Sequence, residues 1–303
     1  MYIIVTGATG TGKSAVAVSL AKEINGEIIS ADSMQVYKGM DIGTYKISKA
    51  GMAGIKHHLL DVVEPGENFS AAQFKNLAEA AMDDIKSRKK IPIICGGTGL
   101  YINALIKGIL TAKEPTQEQK YLLRVQLEED GLESMVNLLN RIDPGAAALI
   151  DINNSRRVLR ALELIMANDM SLRNLRETTE QNRYKDGYKL FVLETGREYM
   201  YARLDRRVDE MIKAGLKEEV KTLLNRGNFL SPTALQAIGY KETAAFLKGS
   251  ITGEQMAESI KQATRNYAKR QVTWFKKYEN AVRINMEDNK PEAAAKEIEQ
   301  WLK

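Results

Sequence analysis

The 303-residue chain is 44% hydrophobic and 27% charged, the texture of a soluble globular protein with enough material for one large α/β domain carrying an insertion, or for two domains. A net charge of +5 names no partner by itself, and Cys95, the single cysteine, excludes an intrachain disulfide and a CxxC metal site. No stretch approaches transmembrane length, and the first residues lack a secretory pattern, so a cytoplasmic chain with no membrane partner is expected.

Tyr2–Thr6 reads as a buried strand, and residues 7–14 after it read GATGTGKS. A strand, a glycine-rich turn, then Lys and Ser opening an amphipathic helix over Lys13–Ile24 form a phosphate-binding P-loop in its proper context. The N–H groups of Gly7, Ala8, Thr9, Gly10, Thr11 and Gly12 are placed to cradle phosphate oxygens, assisted by the helix dipole. Lys13 supplies a mobile cation, and the Ser14 hydroxyl a ligand for Mg²⁺, the one cofactor expected.

Glu27–Ala31 is the second predicted strand, and Asp32 follows it. Ligands of open parallel sheets bind beyond the carboxyl ends of the strands, so Asp32 is expected on the P-loop edge. There it can ligate a metal, act as a general base or cap the following turn. His57 and His58 have no acidic or cysteine company at ligand spacing and read as structural or hydrogen-bonding residues. A serine-capped helix is predicted over Ser70–Ser87 and a third strand over Ile91–Cys95. Gly96, Gly97 and Gly99 then allow close approach of backbone to a ligand, with Thr98 presenting a hydroxyl. That position lacks the metal-holding Asp of P-loop ATPases, which weighs against an NTP-hydrolysing motor. Alternating strand and helix signals predict a P-loop NTPase-like (kinase-like) α/β fold, a parallel sheet flanked by helices.

Beyond Thr111 strand signals vanish. Leu122, Leu123, Val125 and Leu127, then Leu132, Val136, Leu138 and Leu139, recur at helical spacing, Pro144 opens another helix, and Val158, Leu159, Leu162, Leu164 and Ile165 form a third apolar face. An all-helical insertion over 112–187 is therefore expected on a core of 1–111 and 188–303. Arg156 and Arg160 share a helix face there, suited equally to solvent or to phosphate. Lys189–Glu194 returns to the sheet, and the remainder reads as helical: Met200–Asn225, Pro232–Leu247 and Thr252–Tyr278. Arg203 and Arg207, four apart, could reach the phosphate edge, although alone they read as surface residues. Residues 261–277 carry six Lys or Arg and no acid, interleaved with Tyr267, Trp274 and Phe275. Charges that track phosphates and rings that stack on bases suit RNA, and an inward-packing aromatic face is the alternative.

The ordered set GATGTGKS, SADSMQVYKGMDIGT, HHLLDVVEP, ICGGTGLYINAL, NNSRRVLRALE, LQAIGYKE and AKRQVTWFKK, spread over residues 7 to 277, resembles the bacterial tRNA dimethylallyltransferases, also called tRNA isopentenyltransferases, of the IPP transferase family. The chain departs from the common Gly-Thr-Ala-Lys-Pro at Gly43-Thr44-Tyr45-Lys46-Ile47, which leaves Lys46 without an assigned role. The resemblance implies transfer of a dimethylallyl group from dimethylallyl diphosphate to N6 of adenosine 37 in tRNA. Lys13, Thr98 and Asp32 would be catalytic, Asp32 as general base. Residues 7–14 with Arg203 and Arg207 would bind diphosphate. Asp32, Ser33, Met34, Gln35, Thr98, Arg124, Arg156, Arg157, Arg160, Lys269, Arg270, Gln271 and Trp274 would meet the tRNA anticodon stem-loop. A monomer is expected. A nucleotide kinase leaves the basic aromatic C-terminus unexplained, an NTP-gated RNA-binding protein leaves Asp32 and Thr98 idle, and a prenyltransferase for free AMP has no use for the insertion.

Overall fold

Runs of aliphatic residues with no polar alternation make strands that must be covered on both faces, and the fold supplies that cover. The structure is a computed structural model that describes residues 1–110, 112–180, 184, 186–225, 230–287 and 289–303. In chain order come β1 (Tyr2–Gly7), α1 (Lys13–Glu23), β2 (Gly26–Ser30), the single turn α2 (Lys49–Met52), the two-residue β3 (His57–His58), α3 (Ala71–Ser87), β4 (Ile91–Gly96) and α4 (Gly99–Ile106). Next are α5 (Gln117–Ile142), α6 (Ser155–Asn168) and α7 (Leu172–Glu180). The chain closes with β5 (Tyr188–Glu194), α8 (Arg197–Lys213), α9 (Leu216–Asn225), α10 (Tyr240–Leu247), α11 (Gly253–Phe275), β6 (Val282–Asn285) and α12 (Pro291–Gln300).

Among the described residues the strands form one six-stranded parallel sheet in the order β3-β2-β4-β1-β5-β6. Helices flank it, the α/β P-loop-like architecture expected. On one face α1 and α12 pack against Ile3, Val5, Ile28, Ile93, Phe191 and Ile284, using Val16, Leu20, Ala294 and Ile298. In a separate cluster, Met200 and Leu204 of α8 meet Ala268 of α11 and Ala8 of the P-loop. Ser70 caps α3 in a reciprocal capping box with Gln73, as its sequence predicts.

Several expectations are corrected. The tail is not all helical: β6 pairs with β5 at the sheet edge. Met200–Asn225 is two helices, because Gly215 at φ +104° breaks the run between α8 and α9. Only a 3₁₀ turn at Ala147–Leu149 follows Pro144, and another at Ala234–Gln236 precedes α10. Gly131, at φ +77°, divides α5 into two segments.

The chain forms two compact units, one of Met1–Ile102 with Lys185–Lys303, the other of Asn103–Tyr184. The first division falls inside α4, ahead of the expected junction at 111–112, where residue 111 lies outside the described residues. The smaller unit is helical and has its own core of Leu123, Met135, Leu139, Val158, Leu162, Ile165 and Leu172. Leu122, read as part of that stripe, faces solvent instead. Among the described residues no helix is long and apolar enough to cross a membrane.

Candidate active site

The P-loop follows β1 at the centre of the sheet. Gly10 sits at φ +87°, and a Cβ there would lie 2.9 Å from Leu204 Cδ2, so the turn needs glycine both for its backbone and for the approach of α8. Lys13 Nζ donates to the Ala8 carbonyl at 2.8 Å, folding its side chain across the loop. Burial pushes the Lys13 ammonium down to about 8, with Arg207 and Arg203 acting in the same direction against Cys95 and Asp32.

Those two arginines come from one face of α8. Arg207 donates to Thr9 Oγ1 at 3.0 Å and to the Thr44 carbonyl at 3.3 Å, and its guanidinium lies 3.9 Å from the centre of the Tyr45 ring. Burial lowers it to about 10, opposed chiefly by Asp32. Arg203 reaches the other side of the loop, its Nη1 3.7 Å from the position a Cβ would take on Gly12. Three cations thus converge on the loop in a setting that favours a bound polyanion. Tyr45, which departs from the family pattern, supplies the ring beneath Arg207. Lys46 acquires a role as well. Its buried side chain donates to the Tyr37 carbonyl at 2.8 Å and to Asp41 and Asp61 at 2.6 and 2.5 Å, clamping the 37–46 segment.

Asp32 follows β2, beside the loop that follows β4. Its Oδ1 accepts from the N–H groups of Met34 at 2.9 Å and Gln35 at 3.4 Å, so it caps a turn while facing a cavity. Thr98 Oγ1 accepts from the Ser33 N–H at 2.9 Å, and the Thr98 N–H donates to the Ala31 carbonyl at 3.1 Å, joining the two loops. Gln35 Nε2 donates to the Thr44 carbonyl at 3.3 Å.

The glycines around Thr98 have a different cause from the one expected. A Cβ on Gly96 would lie 2.1 Å from the Ala31 carbonyl oxygen, one on Gly97 2.4 Å from Gln271 Nε2, and one on Gly99 2.1 Å from Trp274 Nε1. The close approach is by the Ala31 backbone just after β2 and by α11. Gln271 is buried, accepting from the Thr9 N–H at 2.8 Å and donating to the Gly97 carbonyl at 2.8 Å, so one side chain bridges the P-loop and the β4 loop. Gln271 and Trp274 are therefore directed at the protein, whereas Lys269 and Arg270 are exposed. Tyr267 adds a ring whose hydroxyl interacts with Thr98 and Gln271, and burial pushes that phenol up to about 12.

These groups surround a cavity of about 280 Å³. Thr9, Asp32, Ser33, Arg207 and Arg270 form its polar side, while Met34, Val208, Met211, Ala237, Ile238 and Tyr267 form an apolar wall. Met211 carried no signal in the sequence, and the 236–238 segment only its place in LQAIGYKE, because what they supply is shape. Ser14, at the start of α1, shares a small recess with Ser30, Gln35 and Cys95. Burial pushes the Cys95 thiol up to about 12, so it stays protonated; His57 also lines the recess, its Nδ1 2.9 Å from the Ile55 carbonyl, and the other donors are the hydroxyl and amide oxygens of Ser14, Ser30 and Gln35. Hard oxygen donors suit Mg²⁺ completed by water and phosphate. No group of three or more His, Cys, Asp or Glu that could hold a metal occurs among the described residues.

In the helical unit Arg124, Arg156 and Arg157 are exposed. Arg157 lies 3.7 Å from Asp151, and Arg160 is paired with Glu114 at 2.5 Å and Glu163 at 3.3 Å. His58 proves to be a hydrogen-bonding residue, its Nε2 2.8 Å from Glu27 Oε2.

The family model described as IPP transferase matches residues 35–278, most of the chain. The chain belongs to the IPP transferase family. It is 43% identical over 280 residues to a tRNA dimethylallyltransferase of Caldanaerobacter subterraneus subsp. tengcongensis, covering 91% of this chain and 89% of the relative. A Clostridioides difficile tRNA dimethylallyltransferase is 42% identical over 282 residues, covering 92% and 89%. Among solved structures, the tRNA isopentenylpyrophosphate transferase of Bacillus halodurans superposes with a TM-score of 0.74 at 39% identity, covering 99% of this chain and 95% of that one. A eukaryotic dimethylallyltransferase acting on tRNA gives 0.82 at 31% identity, covering 95% and 74%. This IPP transferase is thus an enzyme, with Thr9 of the P-loop, Arg207 of α8 and Asp32 lining one cavity.

Proposed function

We propose that this IPP transferase moves a dimethylallyl group from dimethylallyl diphosphate to N6 of adenosine 37 in tRNA, releasing diphosphate. The observation that carries the reading is a single cavity with the Thr9 and Arg207 end of a phosphate cradle, a carboxylate at Asp32, and an apolar wall ample for a five-carbon tail. The tail would lie along Met34, Val208, Met211 and Ile238, where burying five carbons is worth on the order of 4 kcal/mol.

The chemistry follows from that arrangement. The bond between C1 of the allyl group and the diphosphate oxygen breaks, its electron pair leaving with diphosphate, as the N6–C1 bond forms. Charge grows on the leaving group, so Lys13, Arg203, Arg207 and the loop N–H groups stabilise the transition state more than the ground state. Mg²⁺, with Ser14 as its protein ligand, supplies further charge neutralisation to the diphosphate when bound. A carboxylate is too weak a base to deprotonate a neutral exocyclic amine in advance. The N6 proton becomes acidic only as the new bond forms, and Asp32 accepts it then, having first oriented the amine. Thr98, bonded to Ser33, holds the Asp32 turn against the β4 loop.

Adenosine 37 must leave its stack to enter the cavity, at about a few kcal/mol. Lys269 and Arg270 on α11, with Arg124, Arg156, Arg157 and Arg160 in the helical unit, are the proposed phosphate contacts that offset this. The test supplies Mg²⁺ and unmodified tRNA with either labelled dimethylallyl diphosphate or labelled ATP. Label from the prenyl donor on adenosine 37, absent when that base is G, supports the reading. Transfer from ATP alone would make the chain a kinase.

A further inference from the structure

Glu219, on α9, lies outside every motif read from the sequence. Its Oε2 accepts from the N–H groups of Asp41 at 2.9 Å and Ile42 at 2.7 Å, and its Oε1 from the Gly43 N–H at 3.0 Å and the Tyr240 hydroxyl at 2.6 Å. Three successive backbone donors turned onto one carboxylate make an anion nest, so the 41–43 turn takes its shape from this side chain. Gly43 is glycine because a Cβ would lie 2.4 Å from Tyr240 Cε2, which lets the turn close down on the ring. Burial, reinforced by Glu219, raises the Tyr240 phenol and keeps it a donor.

Two walls of the cavity are tied together in this way. The turn leads directly to Thr44, whose carbonyl accepts from both Arg207 Nη2 and Gln35 Nε2. Tyr240 ends the segment that carries Gln236, Ala237 and Ile238 into the opposite wall. Displacement of the turn moves the acceptor that aims Arg207, whose other nitrogen is bonded to Thr9 of the P-loop. We propose that Glu219 is a positioning residue for the prenyl donor: through the 41–44 turn it aims Arg207 at the diphosphate and fixes the separation of the cavity walls, without touching the substrate. The proposal rests on the reading of Arg207 as a diphosphate ligand.

A residue that merely stabilises the fold would lower the melting temperature and leave donor affinity alone. Positioning through Arg207 predicts non-additivity. Inorganic pyrophosphate binding is measured by calorimetry, below all melting temperatures, for the wild type, Glu219→Gln, Arg207→Ala and the double variant. Replacing one carboxylate oxygen by an amide sets donor against donor, so Glu219→Gln is expected to weaken pyrophosphate about tenfold. In the Arg207→Ala background it should weaken binding no further. Tyr240→Phe, which leaves the three N–H bonds intact, provides a milder second variant if Glu219→Gln does not fold, with the same non-additivity expected. Additive losses, or wild-type pyrophosphate affinity in both variants, would overturn the positioning role while leaving the diphosphate reading in place. A wild-type protein that binds no pyrophosphate would overturn both.

Discussion

At the scale of single residues the site is governed by desolvated cations that await an anion. Lys13, held near 8 by burial, is largely neutral above that pH in the free protein. A bound diphosphate favours the ammonium, so binding between about pH 8 and 10.5 must take up a proton. Calorimetry with pyrophosphate at pH 9, in buffers of different ionisation enthalpy, should show greater proton uptake by the wild type than by Lys13→Arg, which stays charged throughout. Equal uptake would mean that Lys13 is already protonated without ligand. Glu27 shows the opposite sign. Arg88, then Lys90 and His58, hold its buried carboxyl well below the usual range. The stability this confers is complete above the unfolded value near 4.5 and is lost as pH falls toward the folded value. Glu27→Gln should therefore lower unfolding free energy by about 2 kcal/mol at pH 7, discounted for half-exposed partners, and urea titrations should show that gap narrowing below pH 4.5.

At the scale of elements, α11 is the keystone of the sheet's carboxyl edge, since Tyr267, Gln271 and Trp274 all press on the loop after β4. Gly99→Ala forces a methyl into the Trp274 indole. It should cost about 1–3 kcal/mol in a denaturant titration. Gly187→Ala meets nothing within 4 Å and should stay within about 0.5 kcal/mol of the parent. These glycines also mark what a sequence can and cannot say. The P-loop, the strands β1, β2, β4 and β5, and the capped α3 were legible because each is a local pattern of burial, turn and cap. The small residues around Thr98 were visible, but the cause of Gly97 and Gly99 lay some 170 positions away in α11. The strand β6 was missed because four residues, VRIN, give too short a period to separate from helix. Glu219 carried no signal, since a carboxylate that organises backbone N–H groups looks in sequence like any helix-surface glutamate, and Tyr240 stood inside LQAIGYKE with nothing to mark its task.

At the scale of the whole molecule, the charge excess matters through its distribution. Lys269, Arg270, Lys276 and Lys277 are exposed along the end of α11, while Arg265 is engaged with Asp205 and Glu258. If the exposed group tracks tRNA phosphates, Lys269→Ala should weaken binding and reduce the slope of log affinity against log salt by about 0.7 to 0.9. Arg160→Ala, which removes a partner of Glu114, combines a lost ion pair with any lost phosphate contact. Its effect on tRNA binding should be smaller than that of Arg156→Ala, which gives up no ion pair among the described residues. Filter binding across a salt series measures both.

The proposed joining of a diphosphate cradle to a proton acceptor in one cavity is tested most directly by single-turnover prenyl transfer in Asp32→Asn. Asparagine keeps an oxygen for the Met34 and Gln35 N–H groups but removes the base. The predicted result is a rate at least about 100-fold lower, with tRNA and pyrophosphate affinities within about twofold of the parent. Losses of rate and affinity of equal size would contradict it and leave Asp32 as a turn cap.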